Sequence, residues 1–212
     1  PRKGHPMSDW TEGYVTDVDY TYGFYREMAP HTMRFALHAG GYESPPDEGC
    51  TVCELAFGQG AGLALLAAAN PDSRFWGNDF NPTHVAGARI LSEEAGLTNI
   101  DLSDASFAEM LERDDLPQFD WITLHGVWSW VGRENWAHII EFARRRLQVG
   151  GALYVAHNSM AGWAPLHPLR ELMHRACAPG ATSATTPKAD IDAAMKMIDR
   201  LMEVPGSHMS RT

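Results

Sequence analysis

The 212-residue chain predicts an α/β fold: a doubly wound, mostly parallel sheet with helices on both faces. Three observations predict it. Five short runs rich in β-branched and aromatic residues, at 51–56, 74–79, 99–103, 119–125 and 151–157, recur from residue 51 onward. Helical patterns near 61–70, 82–96, 106–113 and 133–147 separate them, so each strand is joined to the next by a crossover. A glycine-rich turn, "ELAFGQGAG" at 54–62, follows the first strand and opens the first of those helices.

The first fifty residues stand apart. The segment "YVTDVDYTYGFYREMAPHTMRFALHAGG" is aromatic and then helical, and it ends in the Gly/Pro loop "GGYESPPDEG". It is expected to cap the C-terminal edge of the sheet. Gly96 and the pair Gly150-Gly151 stand where helices end in the left-handed conformation. Beyond residue 158 the chain turns helical again, over 164–178 and 188–203, around the low-complexity linker "APGATSATTP". The expected organisation is a cap at 1–50, an α/β domain at 51–178, and a linker with a C-terminal helix at 179–212. "PRKGHP" precedes the first plausible initiator, Met7, and "GSHM" at 206–209 matches the scar of a cleaved purification tag, so both ends read as vector-derived.

Composition narrows the partners. With 17 basic against 27 acidic residues the formal charge is −10, and the one cationic cluster is "ARRR" at 143–146, read as a solvated helix end. Nucleic acid is therefore a disfavoured partner, and a small molecule or a basic protein segment a favoured one. The longest apolar run, "GLALLAAA" at 62–69, is far short of the roughly 20 residues of a membrane span, so no membrane association is expected. Three cysteines make no disulfide framework, which points to a reducing cytoplasm. Cys50 and Cys53 have C-x-x-C spacing, but on a strand they face opposite ways, and no second ligand pair completes a metal site.

The glycine loop is ambiguous alone. A dinucleotide fingerprint needs a glycine where Leu63 stands. Three carboxylates sharpen the reading. Asp79 ends the second strand, placed to accept from both ribose hydroxyls, and Asp104 follows the third, placed for an adenine amino group. Glu54 sets a negative charge beside the loop, which suits a cation and repels a pyrophosphate. Together they suit an adenosine that carries a positive charge and no phosphate.

"VCELAFGQGAG", "WGNDFNP", "SDASF" and "FDWITLHGVWSWV", spread over residues 50–157, resemble the ordered motifs of class I S-adenosylmethionine-dependent methyltransferases, whose sheet is Rossmann-like. "YVTDVDYTYGFYREMAP", "LHGVWSWV" and "NSMAGWAPLHPLR" further resemble the bacterial group in which a regulatory domain follows the catalytic one, some members of which methylate protein lysines. The resemblance implies S-adenosylmethionine as cofactor, S-adenosylhomocysteine as product, and no metal. It places Gly58 and Gly60 along the methionine part with Glu54 fixing their loop, Asp79 on the ribose with Phe80 beside the adenine, Asp104 and Ala105 at the adenine edge, and His125 and Gly126 under the sulfonium. Two departures stand out. Ala56 replaces the family's first loop glycine, which an extended backbone would tolerate. The antiparallel strand pair that closes the family's sheet is not evident, which implies a truncated chain or a missing C-terminal regulatory domain.

Methyl transfer needs an in-line nucleophile, with a base where that nucleophile arrives protonated. His125, ending the fourth strand, is the candidate base, set against a structural histidine. His157 and Asn158, after the fifth strand, are candidate substrate contacts. Trp128 and Trp130 either wall a substrate pocket or pack the next helix. Among Tyr14, Tyr20, Tyr22 and Tyr25 one or two are expected to close over the cofactor, Tyr22 being the choice. The expected activity is methyl transfer to nitrogen or oxygen of a small molecule or a protein side chain such as lysine. Two alternatives are a nicotinamide-dependent oxidoreductase and a non-catalytic cofactor-binding regulatory module.

Overall fold

The structure, a computed structural model, describes residues 20–46, 48–177 and 187–203. Strands β1 (Thr51–Leu55), β2 (Arg74–Asp79), β3 (Ile100–Asp104), β4 (Phe119–His125) and β5 (Leu147–Ala156) form one sheet in the order β3-β2-β1-β4-β5. Every pairing is parallel. This is the Rossmann-like α/β architecture that the alternation of runs predicted. All five strands stand within a few residues of their expected places. Among the described residues no strand follows β5.

Alternation along the strands builds two apolar layers. Val52, Phe75 and Trp121 face one side with Met28, Met33, Leu63, Leu66 and Val85, under α1 (Pro30–Ala39), α2 (Ala61–Ala69) and α3 (Pro82–Glu94). Cys53, Leu55, Ile122 and Leu124 face the other with Phe107, Met110, Ile139 and Phe142, under α4 (Phe107–Glu112) and α5 (Arg133–Arg146). The separation of Cys50 and Cys53 follows from the same period: each is buried in a different layer. Burial pushes the Cys53 thiol well above the usual thiol range, so it is an inert core residue.

Polar clips register the strands. Thr51 donates its N–H and hydroxyl to the Asp120 carboxylate at 2.7 and 2.9 Å, joining the starts of β1 and β4. The Asn99 amide reaches the carbonyls of Ala67, Asn70 and Ser73 and so ties β3 to the turn between α2 and β2. Ser106 and Glu109 form a reciprocal cap that starts α4.

Two glycine assignments separate in the structure. Gly96 follows α3 with φ +68°, as expected for a helix C-terminus. Gly150 and Gly151 instead lie inside β5, because α5 stops at Arg146 and pairing begins at Leu147 opposite Phe119. The register shifts there, Gly150 takes φ +87°, and a Cβ on Gly151 would stand 2.9 Å from the Asp120 carbonyl.

The chain divides into compact units after His157, rather than after residue 178. The first holds the sheet. The second contains α6 (Met160–Trp163), a 3-10 turn at Ala164–Leu166, α7 (His167–Cys177) and α8 (Pro187–Met202), in which α7 and α8 pack together. No helix among the described residues is long and apolar enough to cross a membrane.

The extended backbone that would tolerate Ala56 is not what the loop adopts: the residue's φ is +56°, in the left-handed region. The chain must turn sharply from β1 into the glycine loop, and an L-residue there costs about 1 kcal/mol. Ala56→Gly is expected to raise Tm by roughly 1–4 °C, the relief being partly offset by the entropy of an unfolded glycine. Differential scanning calorimetry checks it, and a lower Tm would show that the methyl contributes more by packing than it costs in strain.

Candidate functional site

The strand order reverses between β1 and β4, so the loops leaving their C-terminal ends diverge and open a crevice. After β1 runs Ala56 to Gly60, ending at the start of α2. Gly58 and Gly60 both have left-handed backbones, φ +62° and +72°, and neither admits a side chain. A Cβ on Gly58 would stand 2.8 Å from the Tyr20 ring, and one on Gly60 2.5 Å from the Ala88 methyl. After β4, Gly126 turns away with φ +69°.

Glu54 and Asp79 face the same layer at this end of the sheet. Asp79 is 3% exposed, and its oxygens are engaged: Oδ2 accepts the Gly58 N–H at 2.9 Å, while Oδ1 accepts the Asn81 N–H at 2.9 Å and pairs with His84 Nδ1 at 3.2 Å. It therefore clips the glycine loop to the start of α3. A carboxylate offers about four lone-pair sites, and three are taken, so in this arrangement one further donor fits where two ribose hydroxyls were expected.

Glu54 has no comparable support. It is 6% exposed, and Oε2 has no hydrogen-bond partner. Burial, reinforced by the Asp79 charge, pushes its carboxyl up to about 8. On the other side of the crevice His125 lies stacked on Tyr25, ring centroids 3.6 Å apart at 22°, with Tyr154 at 6.4 Å on a nearly parallel plane. Burial lowers the His125 pKa, so the imidazole is neutral at pH 7, and Nδ1 is buried without a partner. Two orphaned polar atoms thus flank the crevice, a carboxyl oxygen and a ring nitrogen, each buried without a hydrogen-bond partner from the described residues.

The residues expected at the adenine lie at the ends of β2 and β3. Asp104, in register with Asp79, is exposed at the strand end. Ala105 is buried, donates its N–H to the Asp79 carbonyl at 3.2 Å and accepts the Asn78 amide at 2.9 Å. Phe80 is half-buried between Asp79 and the Asn81 cap of α3.

The remaining expectations separate. Tyr22 is 75% exposed, and the phenols placed at the crevice are those of Tyr20 and Tyr25. The reason is local: Tyr25 enters the core beside the 3-10 turn Arg26–Met28, while Tyr20 is held by its carbonyl, which accepts from Gln59 Nε2 at 3.1 Å. Tyr14 lies outside the described residues. Trp128 stacks on Trp136 at 5.5 Å and 13°, and its carbonyl accepts the Trp136 indole, so it packs α5 against the loop rather than facing a pocket. Trp130 on the same loop is 72% exposed. His157 is exposed at the end of the first unit, and Asn158, in the second, accepts the Trp163 indole N–H at 3.1 Å. Among the described residues no group of three His, Cys, Asp or Glu side chains is placed to hold a metal.

Sequence reasoning missed Asn81, His84 and Tyr154. Asn81 had a signal, since asparagine directly before Pro82 marks a helix N-cap, and its side chain does accept the Thr83 N–H. His84 pairs with Asp79 five residues before it, across the turn from β2 into α3, and Tyr154 depends on a ring contact with His125 on the neighbouring strand.

Glu54 gives stability a definite pH dependence. The carboxyl ionises near 4.5 when unfolded and near 8 when folded without ligand, so its contribution is complete below the lower value and lost as pH rises through the upper one. Asp79, also raised chiefly by burial, contributes with the same sign. Urea unfolding of the unliganded protein between pH 5 and 8.5 is expected to show wild-type stability falling by on the order of 4 kcal/mol more than that of Glu54→Gln. Parallel curves would mean that Glu54 is already ionised in the fold.

Residues 52–151 match the family described as a methyltransferase domain. The uncharacterized protein sll1526 of Synechocystis is 38% identical over 203 residues, covering 95% of this chain and 39% of that protein. A tRNA (guanine-N(7)-)-methyltransferase of Yersinia enterocolitica is 30% identical over 124 residues, 55% of this chain and 49% of that protein. Among solved structures, PKMT2 from Rickettsia typhi superposes with a TM-score of 0.65 at 25% identity, covering 84% of this chain and 38% of that one. Its complex with AdoHcy gives 0.69 at 23%, covering 90% and 36%. The chain thus spans about two fifths of the length of sll1526 and of PKMT2. The parallel sheet, the glycine loop at its switch point and the similarity of residues 52–151 to a methyltransferase domain agree with one another.

Proposed function

We propose that this protein binds S-adenosylmethionine in the β1/β4 crevice and moves its methyl group to a nitrogen nucleophile, a protein lysine amine being the acceptor favoured over an oxygen or a small-molecule nucleophile. The observation that carries the reading is the buried pair Glu54 and Asp79 beside a glycine loop that offers backbone but no basic side chain. Such a site repels a pyrophosphate and suits an adenosine bearing a cation, which also weighs against a nicotinamide cofactor.

Bound there, S-adenosylmethionine supplies an electrophilic methyl group on a sulfonium. The chain's own residues supply position and charge. Gly58 and Gly60 let the backbone approach the methionine part. Asp79 uses its remaining lone pair on a ribose hydroxyl, Phe80 lies along the adenine, and Asp104 with the Ala105 backbone meets its edge. Neutral His125, at the far wall with Gly126, is able to accept a proton from an incoming ammonium, which an amine must lose before it attacks. Trp130 offers an exposed ring for a cationic segment, and His157 completes the proposed acceptor contacts. An acidic chain of net charge −10 attracts lysine-rich partners. Resemblance to a group with lysine-methylating members, and to PKMT2, favours the same acceptor. A C-terminal regulatory domain belongs to this proposal for the whole protein.

Saturating S-adenosylmethionine is expected to raise Tm, since a ligand at 100 times its Kd stabilises by about 2.7 kcal/mol. Asp79→Ala is expected to abolish the shift, because it frees the glycine loop as well as removing the ribose contact. Transfer of labelled methyl from the cofactor is then followed into poly-L-lysine, tRNA and a small-amine mixture. Label in poly-L-lysine supports the proposal, label in tRNA alone overturns the acceptor, and a Tm shift with NADH but not with S-adenosylmethionine overturns the cofactor.

A further inference from the structure

We propose that Tyr20 is the residue by which the site tells the charged sulfonium of S-adenosylmethionine from the neutral thioether of the spent cofactor. This rests on the cofactor reading above and adds a specificity element from the N-terminal cap.

The position of the ring is the first argument. Its Cδ1–Cε1 edge lies on Gly58, 2.8 Å from where a Cβ would stand, and its hydroxyl lies 3.6 Å from the corresponding point on Gly126. One side chain therefore spans the loops that leave β1 and β4, the two walls of the crevice. The ring is also held. The Tyr20 carbonyl accepts from Gln59, and the phenol lies near that of Tyr25, which is itself stacked on His125. With one edge on Gly58 and the tip at Gly126, about half of the residue stays exposed.

Electrostatics is the second argument. Glu54 and Asp79 lie close enough for their charges to act on the Tyr20 phenol. An aromatic ring with the Asp79 carboxylate near it attracts an onium cation through the quadrupole of its face and through charge. A thioether of nearly the same shape receives neither attraction. Removing the ring should therefore weaken binding of the charged form alone. In the enzyme's cycle that difference favours exchange of spent for fresh cofactor, because transfer of the methyl group removes the cation that Tyr20 holds.

Calorimetric titration of the full chain tests this with three ligands: S-adenosylmethionine, S-adenosylhomocysteine, and sinefungin, in which a protonated amine replaces the S-methyl group. Tyr20→Leu and Tyr20→Gln, two ringless variants checked by thermal melting, are expected to raise Kd for the two cations about tenfold and for S-adenosylhomocysteine less than about twofold. Tyr20→Phe, which keeps the ring and loses the hydroxyl, is expected to keep the wild-type ratio. Equal weakening of all three ligands would reduce Tyr20 to a packing element, and an unchanged Kd for S-adenosylmethionine would remove it from the site; either overturns the proposal and leaves the cofactor reading standing. A wild type that binds none of the three overturns both.

Discussion

The site depends on the pairing of β1 with β4. Because β1 is followed in space by β2 on one side and by β4 on the other, the chain leaves the sheet in opposite directions from two adjacent strand ends. No crossover helix covers the gap between them. That pairing is anchored at the other end of the strands by Asp120 and Thr51, whose reciprocal hydrogen bonds fix the register from which Glu54 and His125 inherit their positions. A shift of one residue would turn Glu54 toward the α4/α5 layer and Leu55 into the crevice.

Within that frame the carboxylates play unequal parts. Asp79 is buried but compensated, since two backbone N–H groups and His84 replace the water it has lost, and it acts as much on the protein as on any ligand by holding the loop to α3. Glu54 is buried and uncompensated. Such a group is either an error of packing or a place kept for a partner, and its position beside a loop without side chains favours the second. A bound cation would supply what the protein withholds. The fold thus gives up stability at neutral pH to keep an acid where only a ligand can satisfy it.

Much of the fold was legible because the signals are local and periodic. The five strands, the crossover helices and the glycine loop each follow from alternation, β-branched runs and turn residues within short windows. Where reading failed, a distant contact decided. Gly150-Gly151 looks like a helix end by spacing, but the approach of the Phe119 and Asp120 carbonyls makes it a bulge in β5. The two tryptophans of "GVWSWV" are indistinguishable in sequence, and Trp136, eight residues beyond Trp128, determines that Trp128 packs and Trp130 does not. Four tyrosines in one aromatic stretch carry no mark of which faces the crevice, because that depends on Gly58 and Gly126, contributed by two other elements.

Ala56 connects these levels. A glycine would make the turn out of β1 without strain, and the alanine holds the same left-handed backbone at a cost. Its methyl packs in part against the layer under α4 and α5, which sets an apolar contact against the strain. The residue also narrows the conformations open to the loop when it is not clipped by Asp79, since an alanine has fewer alternatives than a glycine. The departure from the family pattern is thus a stiffer hinge at the root of the loop. Together with the Asp79 clip on Gly58 and the Tyr20 ring laid across it, it means that three independent restraints act on the five residues between β1 and α2. A loop so restrained presents its amides in one arrangement before any ligand arrives, and binding then has less order left to impose.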